Sequence, residues 1–276
     1  MMASNFFNEL IKQCIGQKRP MSFGKLGAVE TDCLSNSHAQ KRVVWGENLG
    51  INAGVFPLNQ QIVDRWSAEY LDSIRSLDAC VEWWHGKDTF LLKQYNPTRL
   101  ISNEIDDLLP FNLGKEAWHY ALGDKTVLVV HPMMDTIQAQ VHHFSKLWPG
   151  ASIKKFIGVR SFYPPWLMES HPFKDFFECL AAIKAEIAKH QFDFAVVGAG
   201  AYSLLLLKFI KDMGVPCVHL GGQTQLLFGI RGKRWETEYT EEWRQANFYN
   251  SSAYWTRPLE SDVPTNKNMV ENGCYW

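Results

Sequence analysis

Between Phe192 and Trp235 the chain reads FDFAVVGAGAYSLLLLKFIKDMGVPCVHLGGQTQLLFGIRGKRW, and no other stretch restricts the fold as tightly. A short apolar run, Phe192 to Val197, meets the glycine turn Gly198-Ala199-Gly200. A segment with helical spacing follows, Ala201 to Met213, and Gly214 stops it. A second apolar run, Val215 to Leu220, ends in Gly221-Gly222. Strand, tight turn, helix and strand in that order predict a βαβ unit. Neither apolar run alternates with polar residues, which fits parallel strands covered on both faces. Ligands of such sheets lie beyond the carboxyl ends of the strands. There the glycines would let backbone N–H groups approach a ligand, with Arg231, Lys233 and Arg234 directly downstream. The stretch therefore predicts an anion site, for a nucleotide or a sugar-nucleotide diphosphate.

The same grammar recurs along the chain. Met21 to Leu26 reads as a strand ending at Gly27, and a helix starts at Ala28 with Glu30 in its first turn. Glu30 would favour that helix N-terminus electrostatically, or stand as a carboxylate at the ligand edge. Lys125 to His131 reads as a buried strand and Ile153 to Ile157 as another, with a helix from Asp135 to Leu147 between them. Helices are also predicted over Asn5–Gln17, Pro57–Leu77 and Pro172–His190, the last with Phe173, Phe176, Phe177 and Leu180 on one stripe. Ser37 to Ala53 is expected to be a loop over the site, and Lys87 to Leu113 short helices and loops. The prediction is an α/β, Rossmann-like fold with a mostly parallel sheet flanked by helices. It spans residues 1–276 as one domain; a division into lobes of about 1–120 and 121–276 is the alternative.

Composition excludes several classes. The 276 residues carry a formal net charge of −1, so no global field favours nucleic acid or an anionic membrane. Hydrophobic residues make up 46% and charged residues 21%, a globular balance rather than a disordered one. No apolar run reaches membrane-spanning length, and the N-terminus lacks the basic flank of a signal peptide. The six cysteines lie far apart without CxxC pairs, which points to free buried thiols in a reducing compartment, the cytoplasm.

Gly198-Ala199-Gly200 has the context of a dinucleotide turn, but Ser203 stands where the third glycine belongs and His219 where an acidic residue would end the next strand. A Rossmann-type NAD or S-adenosylmethionine enzyme is therefore only an alternative. The cations of Gly229 to Trp235 are read as phosphate ligands, against the reading of a solvated loop. His131 and His219 each end a buried strand at the ligand edge, where a histidine can exchange protons. His131 and Glu30 are the catalytic candidates. The expected substrate-binding residues are Gly27, Gly198, Gly200 and Tyr202, then His219, Gly221, Gly222 and Gln225, and the three cations Arg231, Lys233 and Arg234. Trp235, Trp243, Tyr254 and Trp255 suit either sugar stacking or packing.

Several segments carry a resemblance: VLVVHPMMDTIQAQ, VVGAGAYSLLLLKFIKDMGVPCVHLGG, QTQLLFGIRGKRW and the ending ENGCYW. They resemble a family encoded in bacterial capsule and O-antigen polysaccharide loci, grouped with the GT-D-fold glycosyltransferases. The likeness runs from about Gly24 to Trp276. It implies a nucleotide-sugar donor, a glycan or lipid-linked acceptor, and a divalent metal, Mn or Mg. In that family the metal sits on an Asp-x-Glu element within an Arg-aromatic-Gly-Asp-Gly-Glu motif. The matching stretch here is Lys25-Leu26-Gly27-Ala28-Val29-Glu30. Glu30 and Gly27 keep their places, and Ala28 stands where the aspartate would. One carboxylate alone holds Mg²⁺ or Mn²⁺ weakly, so no metal ligand is assigned and ligand binding is expected to tolerate chelation. The reading is a glycosyltransferase-like enzyme of polysaccharide or glycan biosynthesis, with a non-catalytic nucleotide-sugar-binding protein of the same fold as its alternative. Oligomeric state is left open.

Overall fold

A computed structural model describes residues 6–40, 43–84, 86–102, 108–109, 114–237 and 253–276. Seven strands form one sheet: β1 (Ser22–Lys25), β2 (Ala79–Val81), β3 (Leu100–Ser102), β4 (Thr126–His131), β5 (Lys155–Arg160), β6 (Phe194–Val197) and β7 (Cys217–His219). Their order is β3-β2-β1-β7-β6-β4-β5, and every neighbouring pair is parallel. The sheet expected to be mostly parallel is thus wholly so. The pairing of β1 with β7, Phe23 beside Val218, runs it through both halves of the chain.

Within the strands a second rule operates. Val127 and Val129 of β4 join Phe194, Val196 and Val218 in one core, while Leu128 and Val130 join Ala195, Val197 and Cys217 in the other. Side chains alternate between faces with a period of two, and both faces are apolar because both are covered. On one face lie α1 (Phe6–Gln17), α6 (Met134–Gln140), α7 (Phe144–Leu147) and α10 (Thr224–Leu227). On the other lie α2 (Ala28–Gln40), α4 (Gln60–Ser76), α5 (Lys87–Tyr95), α8 (Phe176–Ile187) and α9 (Ser203–Asp212). The turn α3 (Asn48–Ile51) and the short α11 (Lys233–Thr237) complete the α-helices of the described residues. All six cysteines are buried and free. Among the described residues no helix is long and apolar enough to cross a membrane.

Caps explain where the helices depart from their predicted spans. The Asn59 side chain accepts from Ile62 N at 3.0 Å and starts α4, whose buried stripe is Val63, Trp66, Tyr70 and Ile74. Asp175 caps α8 through Phe177 N at 2.8 Å and Glu178 N at 2.9 Å. The helix therefore begins after Phe173, which was expected on its stripe. Residues expected as a loop from Ser37 to Ala53 are partly helical. Ser37 Oγ donates to Cys33 O at 2.6 Å inside α2, and α3 follows. Strand β3 falls in a stretch predicted as helices and loops; its three residues are too few to show a period. β5 starts two residues later than predicted and runs to Arg160, level with His131 of β4.

The helix after β4 lies on one face and the helix after β6 on the other, and these two strands are neighbours. A crevice opens at the carboxyl edge of a parallel sheet where successive helices part in this way.

Candidate functional site

That crevice holds a cavity of about 460 Å³, within the range of small-ligand sites. The carboxyl ends of four adjacent strands reach it: Lys25 from β1, His219 and Gly221 from β7, Gly198 after β6 and His131 of β4. Residues Ile51 to Gly54 line it too, so part of the predicted loop does reach the site. Tyr163, Tyr275 and Trp276 add aromatic wall on one side and Trp83 and Trp84 on the other.

Lys25 is the main group that the sequence reading passed over. Its Nζ lies 3.9 Å from the centre of the Trp83 ring. Burial pulls the ammonium pKa down to about 8; the Glu30 carboxylate opposes this and the Arg234 guanidinium adds to it. The available signal was a charged residue closing an otherwise apolar strand, a placement that points to the ligand edge.

Glu30 stands in the first turn of α2, only 6% exposed. Its carboxyl folds back over Gly27, where a Cβ would collide with it. Burial pushes its pKa up, while its own backbone N–H and the Lys25 charge hold it down. A carboxylate with a raised pKa can take a proton and keep it, the property a general base requires.

The glycines act differently from expectation. Gly198 N–H donates to Val130 O at 2.9 Å, and Gly221 N–H points to His219 Nδ1 at 3.2 Å. The Gly198 donor is already used inside the fold, so it is not a ready-made phosphate ligand, and the Gly221 donor is used wherever His219 Nδ1 is unprotonated. Their role is steric. A Cβ on Gly198 would strike Thr224 Oγ1 and Gly221 O, which the close approach of β6 and β7 brings against it. Gly200 has φ +53, and a Cβ there would lie 2.6 Å from Ala53 O. A Cβ on Gly222 would run into the Tyr275 ring.

The two strand-end histidines are 3% and 5% exposed, and burial pulls the pKa of each down to about 3. Both are neutral at pH 7. His131 Nδ1 accepts from Met133 N at 3.1 Å, so the proton sits on Nε2. In that tautomer His131 offers a donor, not a base. His219 Nδ1 lies 3.0 Å from Val197 O. That nitrogen serves one of two partners: protonated it donates to Val197 O and leaves Nε2 as an acceptor, and unprotonated it accepts the Gly221 N–H.

Of the three predicted cations, Arg234 alone is on the cavity wall. Arg231 spends its backbone N–H on Thr256 O at 2.8 Å, and Lys233 is exposed with Nζ 3.5 Å from Asn272 O. Arg231 precedes α11, in the stretch that pairs with Thr256; for Lys233 the cause is the helical turn of α11. Successive side chains there diverge by about 100°, and Trp235, 1% exposed, takes the inward position. The Arg234 guanidinium carbon is 4.9 Å from the centre of the Tyr275 ring, and the group pairs with Glu271. Tyr202 reaches the cavity but stacks on Phe176 with ring centres 4.1 Å apart. Gln225 is fully buried, and its Nε2 donates to Tyr275 O at 3.1 Å, tying the C-terminal segment down. Trp235 and Trp255 belong to the core rather than to the cavity. Trp243 lies outside the described residues.

The donor set does not suit a divalent metal. Ala28 offers no oxygen from its side chain, and Lys25 supplies a positive charge beside Glu30. Among the described residues, no three His, Cys, Asp or Glu side chains are grouped to hold an ion.

Comparison with protein-family models, with characterised proteins and with solved structures gives no match.

Proposed function

We propose that the cavity binds a nucleotide-sugar and that the protein is a glycosyltransferase-like enzyme of glycan or polysaccharide assembly. The observation that carries this reading is the convergence of Lys25 and Arg234 on one cavity walled by aromatic rings. Two cations can face a diphosphate diester, Arg234 by exchanging its part-exposed Glu271 partner for a phosphate, and flat rings suit a base or a sugar face. Lys25 and Arg234 take up the charge that grows on the leaving diphosphate, the task a metal performs elsewhere. Glu30 receives the proton of the acceptor hydroxyl. The resemblance to the GT-D-fold glycosyltransferases supports the same substrate class, with the Lys25 ammonium in a site that has lost its aspartate at Ala28.

Ala28 also supports a second reading, a nucleotide-sugar-binding protein without transferase activity. A panel of UDP-, GDP-, dTDP- and CMP-sugars, with NAD and S-adenosylmethionine alongside, separates the readings by calorimetry. One nucleotide-sugar should bind equally well with and without EDTA, and the same sugar should be hydrolysed slowly. Binding without hydrolysis or transfer favours the second reading. Preference for NAD or S-adenosylmethionine overturns both.

A further inference from the structure

A second cavity of about 340 Å³ lies beside the first at the β5 end of the carboxyl edge. The two abut, since Pro132, Ser161, Phe162 and Tyr163 line both. We propose that this second cavity binds a neutral carbohydrate; that it is the acceptor side of a transfer reaction rests on the function proposed above.

Its charge argues for a neutral ligand. Among the described residues Arg160 is the one cation lining it, against Glu169 and Asp262. The guanidinium is neutralised twice, by Asp135 and by Asp262 Oδ1 at 2.9 Å, and Nη1 also donates to Pro132 O at 2.8 Å. Asp262 is itself saturated: Oδ2 accepts from Thr136 N and from Thr136 Oγ1 at 2.7 Å. No positive charge is left over for a phosphate, and no free carboxylate of Asp262 for a cation. What remains is the exposed Glu169 carboxylate, which repels anions and can accept from sugar hydroxyls, and a set of neutral hydroxyls from Ser161, Ser170, Ser261 and Thr265, beside the rings of Phe162 and Tyr163. Hydroxyls with an aromatic face fit a sugar, which presents hydroxyls at its rim and C–H groups on its faces.

Ser161 supplies a separate observation. It is 2% exposed, and its Oγ has no hydrogen-bond partner among the described residues. A buried hydroxyl left unpaired is unfavourable, and this one belongs to the wall common to both cavities. A sugar hydroxyl at that wall would remove the deficit. It would also place the sugar next to the cavity of His131 and Glu30, where a transferred group would meet it.

The test is saturation-transfer NMR with methyl α-glucoside, methyl α-galactoside and methyl α-mannoside, with glucuronate and inorganic phosphate as anionic competitors. Ser261→Trp fills the cavity from an exposed position, and Thr265→Trp does so from a second one should the first fail to fold. At least one methyl glycoside should receive saturation from the wild type. The signal should drop about fivefold or more in the filled variant, while nucleotide-sugar affinity and melting temperature stay the same. No transfer to any glycoside, equal transfer in the filled variants, or stronger competition by glucuronate or phosphate overturns the proposal. Glycoside binding without nucleotide-sugar binding would instead overturn the function proposed above and leave the carbohydrate site standing.

Discussion

Titration of Lys25 should make nucleotide-sugar binding depend on pH in a calculable way. Its pKa in the free protein is about 8, lowered chiefly by burial. A diphosphate that needs the ammonium binds only the protonated fraction, which falls from about nine-tenths at pH 7 to about one-tenth at pH 9. Apparent affinity should therefore drop about tenfold over that range, or about 1.4 kcal/mol. Stability of the free protein should move the other way. The unfolded chain holds its Lys25 proton up to about pH 10.5, so it binds more protons than the fold between about 8 and 10.5, and stability rises with pH across that window. Calorimetric titrations at pH 7, 8 and 9 measure the first effect, and urea melts of the free protein measure the second. Lys25→Arg is the control, because a guanidinium stays charged throughout. Any titration of the ligand's base appears in both proteins and cancels. Lys25→Met should bind about tenfold to a hundredfold more weakly, with a flat profile. Wild-type affinity unchanged from pH 7 to 9, or undiminished binding by Lys25→Met, would refute a role for this ammonium in holding the diphosphate.

Arg234→Ala should weaken nucleotide-sugar binding by about tenfold to a hundredfold, while melting temperature barely changes because its ion pair with Glu271 is part-exposed; unchanged affinity with a sharp fall in melting temperature would make Arg234 a structural residue. His119 is fully buried among Tyr120, Phe144 and Trp148 with neither ring nitrogen bonded among the described residues. Replacing it by leucine should therefore stabilise the fold by about 1 kcal/mol, seen as a rise of about 2–4 °C in melting temperature. Burial holds His119, His131 and His219 near a pKa of about 3 in the fold. The unfolded chain protonates them near 6.5, so stability should fall as pH drops from about 6.5 toward 4, by up to about 1.4 kcal/mol per pH unit for each histidine. Urea melts at pH 7, 6 and 5 measure that slope, and His119→Leu should make it shallower; equal slopes would show that His119 does not bear its share.

Local sequence determined the layered fold. Apolar runs without alternation announced β4, β6 and β7, and the glycines after β6 and β7 announced tight turns. Both signals come from residues within a few positions of one another, so they survive in the bare chain. The same is true of the ligand edge, since parallel strands put all their carboxyl ends on one side. Tertiary structure decided which side chains meet there. Lys25 faces Gly221 because β1 pairs with β7, across nearly two hundred residues of sequence. Arg231 left the site because its backbone pairs with Thr256, and Lys233 because the turn of α11 sent it outward while Trp235 claimed the core. Tyr275 and Trp276 reached the cavity because the last residues lie against the turn after β7, held by Gln225 and by the backbone of Lys233 and Arg234. The Gly198 amide was spent on the neighbouring strand β4, a competition no local pattern records. Hydrophobic period and turn chemistry act over one or two turns of chain. The placement of charge in the site depends on sheet order and on which side chains win the interior, and those are properties of the folded whole.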